Sequence, residues 1–123
     1  MRSIIIKIGE TEIEAELNQS RTATLVWEAL PFEGKAHTWG EEIYFRIPVD
    51  ADLENPRRVV RAGEIGYWPT GNAFCIFYGP TPASKGEEIV PASPVDIIGK
   101  VKSDLKLLKQ IDKPGVVRVE RGM

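Results

Sequence analysis

Glu42, Tyr44 and Arg46 occupy alternate positions in Glu42-Ile43-Tyr44-Phe45-Arg46-Ile47-Pro48. A strand there presents a carboxylate, a phenol and a guanidinium on one face and sends Ile43, Phe45 and Ile47 to the other. A second run, Ala73-Phe74-Cys75-Ile76-Phe77-Tyr78, follows Tyr67-Trp68 and a turn over Pro69-Thr70-Gly71-Asn72. If the two strands are neighbours, Phe74 and Ile76 point inward with Phe45 and Ile43, and Cys75 and Phe77 point outward beside Tyr44 and Arg46. With Trp39 and Trp68, that strip makes an apolar groove with a few polar anchors, the chemistry of a peptide or small-ligand site. Eight of the ten aromatic residues lie between Trp39 and Tyr78, which puts the site in the middle third of the chain. The competing outcome is a second core layer, with the outer face covered by a helix or by the proline-rich loop.

Other chemistries find less support. Glu41 and Glu42 are strand neighbours on opposite faces, so they do not form the two-carboxylate pair of a glycosidase; either can act alone as an acceptor. Asp50-Ala51-Asp52-Leu53-Glu54 opens like a calcium loop but has Asn55 where the sixth-position glycine belongs and Arg61 where the bidentate glutamate belongs. His37 is the only histidine and Cys75 the only cysteine, too few for a multi-histidine or thiolate metal site. A His37–Cys75 nucleophilic dyad has no signature around either residue. Gly63, Gly66 and Gly71 do not form a phosphate cradle at a helix start. No metal and no cofactor is expected.

The 123 residues fit one domain, 1–123, with 42% apolar and 28% charged side chains, an ordinary globular composition. Sixteen basic against eighteen acidic residues give a net charge of −2, and the only basic group is Arg57, Arg58 and Arg61, so nucleic acid is not an expected partner. The apolar run Ile4-Ile5-Ile6 is too short for a signal peptide or membrane span. With one cysteine and no disulfide, a cytoplasmic protein is expected, without a membrane association.

The elements that must position the strip follow from periodicity. Ile4, Ile6 and Ile8 alternate with Ser3, Ile5 and Lys7, and after Gly9-Glu10 the alternation resumes with Ile13, Ala15 and Leu17 against Glu12, Glu14 and Glu16. This predicts a β-hairpin turning at Gly9. Ala23, Val26, Trp27 and Leu30 have helical spacing, with Ser20 as cap and Pro31 as stop, and Trp27 is assigned to the core. A strand or strand pair is expected between Lys35 and Pro48, then strands at Ile65–Trp68, Ala73–Tyr78, Val95–Val101 and Val116–Glu120. Residues Gly79 to Gly86 read as an irregular exposed loop, and Asp104 to Ile111 as a short helix capped by Ser103. Many short strands without a βαβ rhythm predict an antiparallel barrel or sandwich, and strands at both ends of the chain can pair to close a barrel.

The strings Thr38-Trp39-Gly40-Glu41-Glu42-Ile43-Tyr44-Phe45, Gly66-Tyr67-Trp68-Pro69, Gly79 followed by Thr81-Pro82, and Pro91-Ala92-Ser93 leading to Ile98-Gly99-Lys100 carry a resemblance over nearly the whole chain. They resemble a small prokaryotic family of uncharacterised proteins with a reduced cyclophilin-like fold. The resemblance implies a mainly β protein, a closed antiparallel cyclophilin-like β-barrel with two short α-helices.

A looser similarity reaches the cyclophilins themselves, the prolyl cis-trans isomerases. Thr22-Ala23 and Ala29-Leu30, Phe45 with Arg46-Ile47-Pro48, Ala73-Phe74-Cys75-Ile76 and Ile98-Gly99-Lys100-Val101 are similar to segments of that family in the same order. The similarity implies that Arg46 matches the catalytic arginine, while Cys75 stands where the pocket phenylalanine is and Ala73 where a glutamine is. The pocket tryptophan and histidine have no counterpart in Glu87 to Pro94. Rotation about an X-Pro bond faces a barrier of about 20 kcal/mol from amide resonance, which an arginine near the prolyl nitrogen weakens.

Three functions are thus expected to compete. The first is binding of a peptide or small molecule by Trp39, Glu42, Tyr44, Trp68, Cys75 and Phe77, with Arg46 beside them. The second is prolyl isomerisation with Arg46 as the catalytic residue. The third is an interaction protein whose aromatic strip is an oligomer interface, the oligomeric state itself not being readable.

Overall fold

The computed structural model describes residues 2–122. Arg2–Ile8 (β1) and Thr11–Leu17 (β2) form the expected hairpin, with Ile4 opposite Ala15, Ile6 opposite Ile13, and Gly9 in the turn at φ 60°. Ile4, Ile6, Ile13 and Leu17 are fully buried, whereas Glu12 and Glu14 are exposed. The alternation therefore orients this hairpin, since a one-residue slip would put the isoleucines in water.

Helix α1, Arg21–Ala29, starts where Ser20 accepts a hydrogen bond from the Ala23 N–H at 3.2 Å. Thr22, Ala23 and Val26 are buried. Trp27 differs from its assignment: it is half-buried at the core edge, with the guanidinium of Arg121 4.5 Å from its ring centroid and that of Arg2 at 5.8 Å. Arginine over the indole face leaves part of that ring as surface.

Phe32–Lys35 (β3) is a strand the sequence pattern did not disclose, because Phe-Glu-Gly-Lys is too short to alternate recognisably. His37–Thr38 (β4) and Glu42–Arg46 (β5) form the expected strand pair, followed by Glu64–Trp68 (β6), Ala73–Phe77 (β7), Asp96–Val101 (β8) and Val116–Arg121 (β9). The spatial order is β3-β9-β1-β2-β8-β6-β7-β5-β4, antiparallel throughout. The strands from the two ends of the chain do pair, β1 against β9, with Ile6 opposite Val119.

These nine strands, counted among the described residues, make a nearly closed barrel rather than a fully closed one. β3 and β4 remain its two edges, and β3 packs over β5 through Phe32, whose ring centroid is 6.1 Å from Phe45 and 6.4 Å from Phe74. Inside lie Ile4, Ile6 and Ile8 of β1, Ile13 of β2, Val117, Val119, Ile43, Phe45, Ile65, Tyr67, Phe74, Ile76 and Ile98. Each such side chain contributes about 1.5–3 kcal/mol by leaving water.

The second helix is shorter than expected. α2 covers Lys106–Lys109, and Ser103 does not cap it. The Ser103 hydroxyl accepts the Glu14 N–H at 2.8 Å instead, and the Asp104 carboxylate takes the Lys106 N–H at 2.9 Å. Residues 79–86 form the irregular loop, yet it is anchored: Thr81 is buried and its hydroxyl donates to the Val90 carbonyl. Among the described residues no helix is long and apolar enough to cross a membrane.

Candidate functional site

β5 and β7 are neighbours, and their register settles which side chains share a face. Glu42 lies opposite Phe77, Tyr44 opposite Cys75, and Arg46 opposite Ala73. β6 continues the same face with Gly66 opposite Cys75 and Trp68 opposite Ala73. Glu42, Tyr44, Arg46, Trp68, Cys75 and Phe77 are therefore on one side of the sheet, away from the barrel interior.

That side is not a bare surface. Residues Arg57 and Val60 bridge to Val95 and Ile89, and the segment they hold lies over the sheet. Beneath it Val60, Ala73, Cys75, Phe77, Ile89 and Val95 make a second apolar cluster, with Tyr44, Trp68 and Ile97 partly buried against it. Cys75 is 1% exposed and Phe77 0%. Both were expected on an exposed strip; both are instead core of the second layer, and Cys75 forms part of the support under the site while Phe77 packs beside Gly66 and Val95.

What remains open is a pocket of about 210 Å³ lined by Trp39, Glu42, Tyr44, Trp68, Pro91, Ala92 and Val95. Four of these, Trp39, Glu42, Tyr44 and Trp68, are residues singled out from the sequence. Pro91, Ala92 and Val95 were not; the string Pro91-Ala92-Ser93 was the available signal, and its meaning depends on the bridge that folds it over β6 and β7. Arg46 is exposed at the far end of β5 and does not line the pocket. Burial removes Cys75 and Phe77 from the aromatic strip as a surface, and the large exposed apolar side chains among the described residues, Val59, Leu107 and Val116, lie outside that strip.

Each wall is fixed by local structure. The Trp68 indole N–H donates to the Ser93 hydroxyl at 2.5 Å, tying the β6 end to the covering segment. Tyr44 meets Trp68 edge-on with centroids 6.4 Å apart, and His37 stacks behind Tyr44 at 5.5 Å. His37 is thus separated from Cys75 by the Tyr44 strand, so the two do not form a dyad. Trp39 is presented by a turn at Gly40, where φ is +63° and a Cβ would run into Thr81 and Pro82; only glycine satisfies both demands. The Trp39 N–H donates to the Glu42 carbonyl at 3.0 Å and the Glu41 N–H to the Pro80 carbonyl at 2.9 Å. Glu41 itself points elsewhere, toward Lys109 at 4.0 Å, as alternation requires.

Glu42 is the unusual member. It is 6% exposed, belongs to none of the ion pairs among the described residues, and lines an otherwise apolar pocket. Burial raises its carboxyl from 4.5 to about 7, against the smaller opposing effect of the neighbouring Cys75 thiol. Burial also pushes that thiol well above its ordinary range, and the neighbouring Glu42 pushes it further. Chemically the site is one carboxyl, able to hold or release a proton near neutrality, in the lining of a recess it shares with Trp39, Tyr44 and Trp68. Its dimensions are those of one ring or one branched alkyl group, since an apolar cavity of about 150 Å³ accepts benzene.

No curated protein matches the chain. Among solved structures, the solution structure of the hypothetical protein AF2241 from Archaeoglobus fulgidus is similar, with 36% identity, a TM-score of 0.83, and coverage of 98% of this chain and 95% of that one. The family model described as Cyclophilin-like matches residues 2–120. With that match spanning nearly every strand of the barrel, the chain belongs to the cyclophilin-like family.

Proposed function

We propose that this protein binds a small molecule, or one side chain of a peptide, in the pocket between the β5–β6–β7 sheet and the 91–95 segment. The observation that carries the reading is the combination of three aromatic walls, Trp39, Tyr44 and Trp68, with a single buried carboxyl, Glu42. Apolar walls supply affinity by losing water, and one polar group fixes orientation. Burying Glu42 without a cationic side chain beside it among the described residues costs the fold free energy.

The prolyl isomerase reading draws less from the geometry, since Arg46 would act from outside the pocket lining. A cytoplasmic setting accords with one buried thiol and no disulfide.

The test uses the three indole N–H signals of the protein in NMR. Trp39 and Trp68 line the pocket, while Trp27 lies on the arginine-clamped edge of the barrel and serves as an internal control. A library of neutral rings, amines, carboxylates and Xaa-Pro peptides is expected to contain members that shift Trp39 and Trp68 and leave Trp27 in place. A library in which every member leaves both signals unmoved at millimolar concentration refutes the pocket as a binding site. The same samples, with a peptide's cis-trans exchange rate as readout and Arg46→Ala as control, test isomerisation.

A further inference from the structure

Resting on the reading of this pocket as a binding site, we infer that its ligand is a small molecule carrying a quaternary ammonium group, seated against Trp39, Tyr44 and Trp68 with Glu42 as counter-charge. Charge is the first argument. Among the lining side chains Glu42 alone is ionisable to an anion near neutrality, it is more than nine-tenths buried, and no lysine or arginine among the described residues pairs with it. The complement of a buried unpaired carboxylate is a cation delivered by the ligand.

The shape and hydrogen-bonding character of the walls choose among cations. A primary ammonium brings three N–H donors and a guanidinium five, and each needs an acceptor once out of water. Trp39, Trp68, Pro91, Ala92 and Val95 offer no side-chain acceptor, which leaves the Glu42 carboxylate and the Tyr44 hydroxyl. The Trp68 indole N–H is already committed to Ser93. A fully alkylated ammonium has the charge with no donors to satisfy, and its methyl groups pack on aromatic faces whose negative potential attracts it. A volume of about 210 Å³ holds one such headgroup with little to spare.

The titratable groups facing Glu42 are few: the Cys75 thiol from β7 and the Tyr44 phenol on its own strand, with His37 on β4 behind Tyr44, and none in the 91–95 segment. Because the carboxyl is largely protonated below about 7, a cation must displace that proton in acid solution. Affinity then rises with pH up to about 7 and levels off beyond it.

The test titrates the protein with choline, with its neutral carbon isostere 3,3-dimethyl-1-butanol, and with ethanolamine, reading the Trp39 and Trp68 indole signals and calorimetric heats from about pH 5.5 to about pH 8. Choline is expected to bind about ten-fold or more tightly than the isostere, and ethanolamine most weakly. Glu42→Gln should erase the preference for choline over the isostere and the pH dependence of choline binding. Trp39→Leu, at a half-buried wall position, should weaken choline more than the isostere with the fold intact by circular dichroism. Equal binding of choline and the isostere, ethanolamine binding as tightly as choline, or a pH-independent choline affinity in the unsubstituted protein each overturns the inference while the pocket reading stands. Silence of all three probes, when other library members shift the same indoles, does likewise; silence of every compound overturns both.

Discussion

Glu42→Gln is expected to change how the stability of this protein depends on pH, by an amount the pocket geometry sets. In the folded state the Glu42 carboxyl titrates near 7 because burial disfavours its charge, whereas in the unfolded chain it titrates near 4.5. A raised folded-state value means that the native protein binds the proton more tightly, so stability is greatest below the unfolded value and falls as pH rises through the folded one. With about 1.36 kcal/mol for each tenfold change in proton affinity, the rise from 4.5 to about 7 makes the loss approach 3 kcal/mol across that window. Glutamine has nearly the same shape and carries no charge at any pH, so the variant lacks this loss. Urea unfolding of both proteins across that window isolates the contribution of Glu42, since the two differ only at residue 42. Measurements stopping near pH 8 also avoid Cys75 and Tyr78, both of which titrate above their ordinary values. The stability of the parent minus that of the variant should fall by about 3 kcal/mol from the acid to the neutral end. A difference that stays constant within about 0.5 kcal/mol would refute the burial argument, because a carboxyl in contact with bulk water has no reason to titrate late.

The buried Tyr67 hydroxyl donates to the Val49 carbonyl at 2.6 Å and accepts from Ala51 N–H at 3.2 Å and Asn72 Nδ2 at 3.1 Å. Tyr67→Phe leaves those groups without their shared partner and should cost about 1–3 kcal/mol in urea denaturation, with no loss of pocket signals. A Cβ at Gly99 would overlap the Glu16 carbonyl where β8 pairs β2, so Gly99→Ala should destabilise by on the order of 3 kcal/mol; an unchanged melting temperature would show that the strands can separate to admit it. The Cys75 thiol, buried and with its ionisation raised, should react with a disulfide reagent only as fast as the protein opens, and become rapid in denaturant.

How much of this was legible beforehand depends on the range of the interaction that decides each feature. The β1–β2 hairpin is local: isoleucine at every second position and a glycine at φ 60° decide it, and those lie within sixteen residues of one another. The Ser20 cap and the inward set Ile43, Phe45 and Ile47 are local in the same sense. The pairing of β1 with β9 was available because both strands carry a clean alternation and needed only each other. β3 was not, since its four residues gain strand character only from the register Phe32 opposite Val119, a contact across most of the chain. Likewise Ser103 has the chemistry of a helix cap, but its hydroxyl accepts the Glu14 N–H of the hairpin, a contact across most of the chain, and the helix begins at Lys106.

The site itself divides along the same line. Strand period and register put Glu42, Tyr44, Cys75 and Phe77 on one face, and that much follows from counting by twos once β5 and β7 are adjacent. Whether such a face is solvent, core or pocket is decided by what lies over it, and here the cover arrives from residues 57–60 and 89–95 through two isolated bridges. No periodicity announces a bridge of one residue pair. The cover reaches Phe77 and Cys75 and turns them into core, stops short of Arg46, and leaves a gap over Glu42. A carboxylate that the pattern marks as a solvent-facing position therefore becomes a buried acid with a raised titration, sharing its pocket with three loop residues, Pro91, Ala92 and Val95. Alternation tells which residues face one another; the long loops decide which of them keep their water, and in this barrel that second decision makes Glu42 the polar centre of the pocket.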